Sequence, residues 1–219
     1  MDQSFFFSIS VSAFLFTPNT LQKIESKENC KKSPYSSLVL LENEKQIGET
    51  AAWHGVRPLR YNLTLEYKNT EVPKLDFKQY SGNVEILIKC VNKTDQISLN
   101  IDFKALKIDL NSVSLVERSV ATGTIFQMRN ARSAFPCMDH PALKAKFKFC
   151  ILHSESVSAI SNTVLESQKR LGNTSVSCFK KTPIIPTYIF TYSIISNMKK
   201  EKRLPKQKFY PEIQVTAPE

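Results

Sequence analysis

Apolar and polar residues alternate along much of this chain with the period of two that a half-buried β-strand imposes. Tyr61, Leu63, Leu65 and Tyr67 are separated by Asn62, Thr64 and Glu66. Val84, Ile86, Ile88 and Cys90 repeat the pattern after Ser81-Gly82, a pair that reads as a turn. Ile97, Leu99, Ile101 and Phe103 repeat it again, followed by Leu106, Ile108 and Leu110. Phe147, Phe149 and Ile151 alternate with Lys146, Lys148 and Cys150, and Tyr188, Phe190, Tyr192 and Ile194 alternate with smaller or polar residues. Ile213 and Val215 mark a last short strand. No stretch carries the period of a long amphipathic helix, and no unit of fixed length recurs. Strands at short intervals without helical crossovers predict an all-β fold, an antiparallel sandwich or one large curved sheet.

Order is expected from Val56 onward. Residues 1–50 read as an apolar N-terminus followed by a polar linker, and residues 55–219 as the β-domain. The run from Phe5 to Phe16 is apolar but interrupted by serines, and it is too short for a bilayer span, which takes about 20 residues. Its length suits the core of a signal peptide. Asp2, however, stands where basic residues should precede it, and no small-x-small cleavage pattern follows. A signal or anchor segment and an unstructured apolar terminus are both open readings.

Composition narrows the classes. An apolar fraction of 42% and an aromatic fraction of 10% in 219 residues supply a packed core. Five glycines leave no Gly-rich phosphate loop. A net charge of +10 brings nucleic acid and anionic membranes into consideration. The densest basic run, Lys199 through Lys208, also holds Glu201 and Pro205 and lacks aromatics, so it reads as a solvated loop. No nucleic-acid motif accompanies it, and nucleic acid is not expected as a partner. Membrane association is expected only through the N-terminus.

Catalytic signatures are missing. His54, His140 and His153 form no H-E-x-x-H and share no i, i+4 face, so each reads as a surface or packing residue. There is no G-x-S-x-G elbow and no P-loop. Cys137, in an apolar Phe-Pro-Cys-Met setting, reads as a buried inert thiol. Cys30, Cys90, Cys137, Cys150 and Cys178 are an odd count without C-x-x-C. One or two disulfides are compatible with that count, and spacing does not choose a pairing. Asn62, Asn92 and Asn173 each open an N-x-[S/T] glycosylation sequon, which together with the apolar N-terminus points to a secreted or extracellular membrane-side product.

The segment Asn130-Ala-Arg-Ser-Ala-Phe-Pro-Cys-Met-Asp-His-Pro-Ala-Leu-Lys-Ala-Lys-Phe147 closely resembles the D-A-R-x-x-F-P-C-x-D-E-P-x-x-K-A-x-F signature of aminopeptidase N-like zinc exopeptidases. Ala159-Ile-Ser-Asn162 resembles the family's A-L-S-N turn, and Lys181-Thr-Pro-Ile-Ile-Pro-Thr-Tyr188 its T-P-x-M-S-T-Y stretch. Arg57-Pro-Leu-Arg-Tyr-Asn-Leu63 and Tyr80-Ser-Gly82 are similar to its opening strands. The matches keep family order from about residue 56 onward. The resemblance implies the saddle-shaped N-terminal β-domain of such an enzyme, with several strands missing between Leu115 and Ser119 and a correspondingly weakened sheet. Within the signature, Arg132 and Asp139 are expected to pair and to pin the passage between strands, and Pro136 and Pro141 to bend it.

The resemblance also implies one substrate contact. Family members hold the substrate's α-ammonium partly through a T-Q-x-Q or T-Q-x-E stretch before D-A-R, which here reads Thr124-Ile125-Phe126-Gln127. Gln127 is thus the expected amine anchor, in vestigial form, because Ile125 replaces the first Gln. His140 likewise replaces the Glu of D-E-P. The family's zinc site, its G-A-M-E-N loop and its H-E-x-x-H helix lie in a catalytic domain absent from these residues. No cofactor and no catalysis are therefore expected of this chain, which reads as a truncated or degenerate member. Peptide N-termini and a catalytic-domain partner are its expected contacts. A basic secreted module for acidic glycans or membrane surface is the alternative.

Overall fold

The computed structural model describes residues 5–14, 21–27, 37–41, 55–67, 80–91, 96–100, 114–116, 119–124, 126–127, 129–196, 198–203 and 213–218. Its strands are β1 (Phe5–Phe14), β2 (Leu21–Lys27), β3 (Ser37–Leu41), β4 (Val56–Tyr67), β5 (Tyr80–Cys90), β6 (Gln96–Asn100), β7 (Ser114–Val116) and β8 (Ser119–Gly123). They continue as β9 (Lys146–Ser154), β10 (Ser158–Ser161), β11 (Leu165–Leu171), β12 (Thr174–Phe179), β13 (Tyr192–Ser196), β14 (Met198–Arg203) and β15 (Ile213–Pro218). The helical elements among the described residues are single 3₁₀ turns at Ala131–Ser133 and Thr187–Ile189. The fold is all-β.

A seven-stranded sheet runs in the order β11-β12-β9-β4-β5-β1-β2, and a four-stranded sheet in the order β10-β13-β8-β7. The pleat turns Tyr61, Leu63, Leu65 and Tyr67 of β4, Val84, Ile86 and Ile88 of β5, and Phe147, Phe149 and Ile151 of β9 into one buried face. The smaller sheet covers this face with Tyr192 and Ile194. The Tyr67 and Tyr192 hydroxyls meet at 2.7 Å across the interface, and the Phe149 and Tyr192 rings lie 5.0 Å apart. Phe190, just before β13, stacks on Phe147 at 4.8 Å. Aromatic area dominates this core, as large rings do wherever two sheets meet.

Several expectations change. The sheet is not purely antiparallel: β4 and β9 pair in parallel, as do β3 and β6. Alternation reports which face is buried and carries no information on strand direction. Ser81-Gly82 is strand rather than turn, paired opposite Glu66 and Leu65. A Cβ on Gly82 would sit 2.6 Å from the Leu65 side chain and 2.8 Å from the Thr64 carbonyl oxygen. The glycine thus permits close approach of two strands. Pro58 falls at a register shift, where a missing N–H costs no ladder bond. The strand expected from Tyr188 begins at Tyr192, because the Thr187–Ile189 turn precedes it.

The run Phe5–Phe14 is β1, paired with β5 on one side and β2 on the other. Strands β2 and β3 fall inside the stretch whose polar sequence predicts no element. β14 pairs with β15 where the basic run reads as loop. In β2, β3 and β14, backbone partners on a neighbouring strand supply what side-chain periodicity does not, whereas β1 does alternate, Phe7, Ile9, Val11 and Ala13 with Ser8, Ser10 and Ser12. Between Leu115 and Ser119, β7 and β8 close a tight hairpin with Val116 opposite Ser119, leaving a three-residue edge strand. The Ile101–Leu110 pattern and His54 lie outside the described residues.

Candidate functional site

The signature segment forms the irregular passage between β8 and β9. Its first residue, Thr124, is fastened to the start of β13: its N–H donates to the Tyr192 carbonyl at 3.0 Å, and the Tyr192 N–H donates to its Oγ1 at 3.1 Å. Phe126 is buried, stacked on Phe190 and edge-on to Phe135. The Asn130 N–H then donates to the Phe126 carbonyl at 3.2 Å, closing a five-residue turn in which Arg129 takes φ of 69°. A non-glycine residue in the left-handed region costs conformational energy, and here the packed frame on either side holds it. Gln127 rides on this turn, exposed, directly after the buried Phe126. Ile125 lies outside the described residues.

Behind the turn, Asp139 is 1% exposed and accepts hydrogen bonds from three directions. Its Oδ2 receives the Arg132 Nε at 3.1 Å and the Arg132 backbone N–H at 3.2 Å, and its Oδ1 receives the Thr187 hydroxyl at 2.7 Å. The Asp139 N–H donates to Asn100 Oδ1 at 3.0 Å, while Asn100 and Cys137 exchange a pair of backbone bonds. The Tyr80 hydroxyl donates to the Ala134 carbonyl at 3.0 Å, and the Met138 N–H donates to the Tyr61 hydroxyl at 3.0 Å. The backbone of this non-ladder passage is thus answered partly by its own turns and partly by distant side chains, as a buried irregular segment requires. Thr187, Asn100, Tyr61 and Tyr80 were not expected in this role. They lie 39 to 77 residues from their partners in the passage, and no local spacing could have signalled them.

Burial pushes the Cys137 thiol well above its ordinary range, and the nearby Asp139 carboxylate pushes the same way. A thiol so held has little thiolate character at neutral pH. The partly buried His140 accepts the Ala142 N–H on Nδ1 at 3.2 Å. His153 is fully buried on β9, with Nε2 against the Ser177 hydroxyl at 2.9 Å and Nδ1 against the Ser154 carbonyl at 2.7 Å. Among the described residues no three of His, Cys, Asp and Glu come together to hold a metal ion, so these residues do not fit a zinc site.

Cys150 and Cys178 form a disulfide between directly opposed residues of β9 and β12. Of the three sequons, Asn62 is half-buried in the middle of β4 and donates its side-chain amide to Glu85 at 2.7 Å. Asn173 is exposed in the two-residue turn between β11 and β12. Asn92 lies outside the described residues. No helix among the described residues is long and apolar enough to cross a membrane.

The family model described as the peptidase M1 N-terminal domain matches residues 116–189, about a third of the chain, which takes in the whole passage and strands β9 to β12. The chain is 41% identical over 83 residues to aminopeptidase Q of Acinonyx jubatus, covering 36% of this chain and 8% of that protein. It is 34% identical over 85 residues to aminopeptidase N of Rattus norvegicus, covering 37% of this chain and 9% of that protein. A leucyl aminopeptidase of Saccharolobus solfataricus is 28% identical over 113 residues, 49% of this chain and 14% of that protein. The matched region is a small fraction of each relative's length.

Proposed function

From the premise that this chain carries an aminopeptidase N-like N-terminal domain, we propose that it serves as a non-catalytic β-domain. In this reading it offers one contact to a peptide N-terminus and docks on a zinc-bearing catalytic unit. The observation that carries it is Gln127, exposed on a turn whose two sides are pinned by Phe126 stacking and by the buried Arg132–Asp139–Thr187 network. Such a frame fixes the backbone that carries the Gln127 amide, whose carbonyl oxygen can accept from an ammonium. Ile184, Tyr188 and Ile189 are exposed within six residues and give the docking face apolar area. Ile125 in place of Gln and His140 in place of Glu support a degenerate member.

One neutral hydrogen bond contributes about 1 kcal/mol, well below the cost of capturing a free peptide. These residues alone therefore neither cleave peptides nor hold them tightly. The test is turnover of aminoacyl fluorogenic substrates by purified chain with added zinc, beside a Gln127→Ala variant. No turnover is expected from either. Zinc-dependent turnover that survives removal of host aminopeptidases and drops in Gln127→Ala would overturn the non-enzyme reading.

We assign the product to the secretory route. The Cys150–Cys178 disulfide supports this, since such bonds persist in oxidising compartments, and so do the sequons. The apolar N-terminal run, as strand β1, no longer argues for it.

A further inference from the structure

Ser175 is fully buried in β12, and its hydroxyl has no hydrogen-bond partner among the described residues. A buried orphan hydroxyl costs stability and calls for an explanation. Ser175 is also the third residue of the sequon that opens at Asn173, and Asn173 is placed very differently from Asn62. It sits in a two-residue turn between Leu171 and Thr174, which are paired across the hairpin. Gly172 takes φ of 62°, while Asn173 does not share the left-handed region, the combination that a type II′ turn uses. The Asn173 carbonyl accepts the Glu155 N–H at 2.9 Å, and the Thr174 hydroxyl donates to the Leu171 carbonyl at 2.9 Å, so the tip is fixed. The Asn173 side-chain amide makes no hydrogen bond among the described residues. A Cβ added at Gly172 would meet nothing within 4 Å, so the space around the tip is open.

We infer that Asn173 carries an N-linked glycan, that Asn62 does not, and that Ser175 serves as the sequon hydroxyl before the chain folds. This rests on the secretory reading above. The Asn173 amide nitrogen attacks the anomeric carbon of a polyprenyl-diphosphate oligosaccharide. The C–N bond forms, the C–O bond to the diphosphate breaks, the lipid diphosphate leaves with that electron pair, and the amide gives up one proton. The hydroxyl of the third residue is read while the chain is still extended. Once β12 pairs with β9, it is sealed in the core with nothing to bond. Asn62 pairs with Glu85 only 23 residues on, so the β4–β5 ladder can close during synthesis and take its amide into the half-buried centre of the sheet, whereas Asn173 stays on an open hairpin tip.

The experiment is translation of the full chain with eukaryotic microsomes on an Asn92→Gln background, so that only these two sequons report. Protease protection reads translocation independently of sugar. The expected result is a protected chain with one glycosidase-sensitive mobility shift. The shift disappears in Asn173→Gln and in Ser175→Ala and is unchanged in Asn62→Gln. Ser175→Ala, made without sugar in a bacterial host, should unfold at the same or a higher denaturant midpoint than its parent, because it removes an unanswered hydroxyl. A protected chain without a shift, or a shift that survives Asn173→Gln, overturns the glycan assignment alone. An unprotected chain overturns the secretory reading and the assignment with it. A clearly lowered midpoint in Ser175→Ala overturns the role given to that hydroxyl.

Discussion

The irregular passage from Thr124 to Asp139 and the β11–β12 hairpin sit on the same sheet framework but are held by opposite means. The passage has almost no ladder bonds, and its buried backbone is answered by local turn bonds together with the side chains of Tyr61, Tyr80, Asn100 and Asp139. The hairpin has a ladder, shifted in register between Leu165 and Ser167, but every residue of β11 is exposed. Its fastening to the sheet adds a covalent bond, Cys150–Cys178, and ion pairs at Arg170–Glu155 and Lys148–Glu166. Pairs that open to solvent contribute little. Regular secondary structure is thus the weaker guide to rigidity here. The passage should respond to changes in buried polar groups and the hairpin to reductant.

The largest separation of the two should come from alkali. Burial is the first cause that raises the hydroxyls of Tyr61, Tyr67, Tyr80 and Tyr192 above the ordinary tyrosine range. The unfolded chain gives up these protons near pH 10, before the folded one does. Their stabilisation is therefore complete below pH 10 and is lost as pH rises toward the folded values. At pH 11 the four together should forfeit about 5 kcal/mol. Denaturant midpoints at pH 9 and pH 11, followed by tyrosinate absorbance, check this. Equal midpoints would mean these hydroxyls are not sealed.

Arg132→Ala comes next, because it leaves the Asp139 carboxylate buried without its cation. A loss of about 4 kcal/mol is expected in urea unfolding. Hydrogen exchange should accelerate through the passage and spare the hairpin. Replacing both Cys150 and Cys178 with Ser should cost about 3.6 kcal/mol, the chain-entropy value for a loop of 28 residues. Exchange should then accelerate in β11 and β12 first. Uniform acceleration in either variant would erase the contrast drawn above. The smallest effect concerns charge. Lys199, Lys200, Lys202 and Arg203 lie on strand β14, and their joint replacement by Gln should shift heparin elution modestly if the basic-module alternative holds. No shift would leave it without support.

What the residues disclosed follows from the same contrast. β4, β5 and β9 each bury one face, so their alternation is legible in the sequence. β11, Leu-Glu-Ser-Gln-Lys-Arg-Leu, is exposed throughout and shows no period. The parallel pairing of β4 with β9 is invisible because it links residues far apart in sequence. Around the passage, Arg132 and Asp139 stand seven residues apart within one motif, which lets the pair be proposed. Thr187, 48 residues from Asp139, has no local mark. Gln127 is an ordinary polar residue by composition, and only the family resemblance singles it out.

The β4–β9 pairing has a consequence for synthesis. Arg60 must wait for Lys146, about 85 residues later, before the centre of the sheet can close. At cellular translation rates of about 5–20 residues per second, that delay is roughly 4–17 s. Throughout it β4 and β5 can pair with each other and hide one edge, while their apolar face has no cover. High contact order slows the final step further. A nascent chain with this topology depends on being shielded in transit, and its yield should track chaperone supply more closely than its final stability.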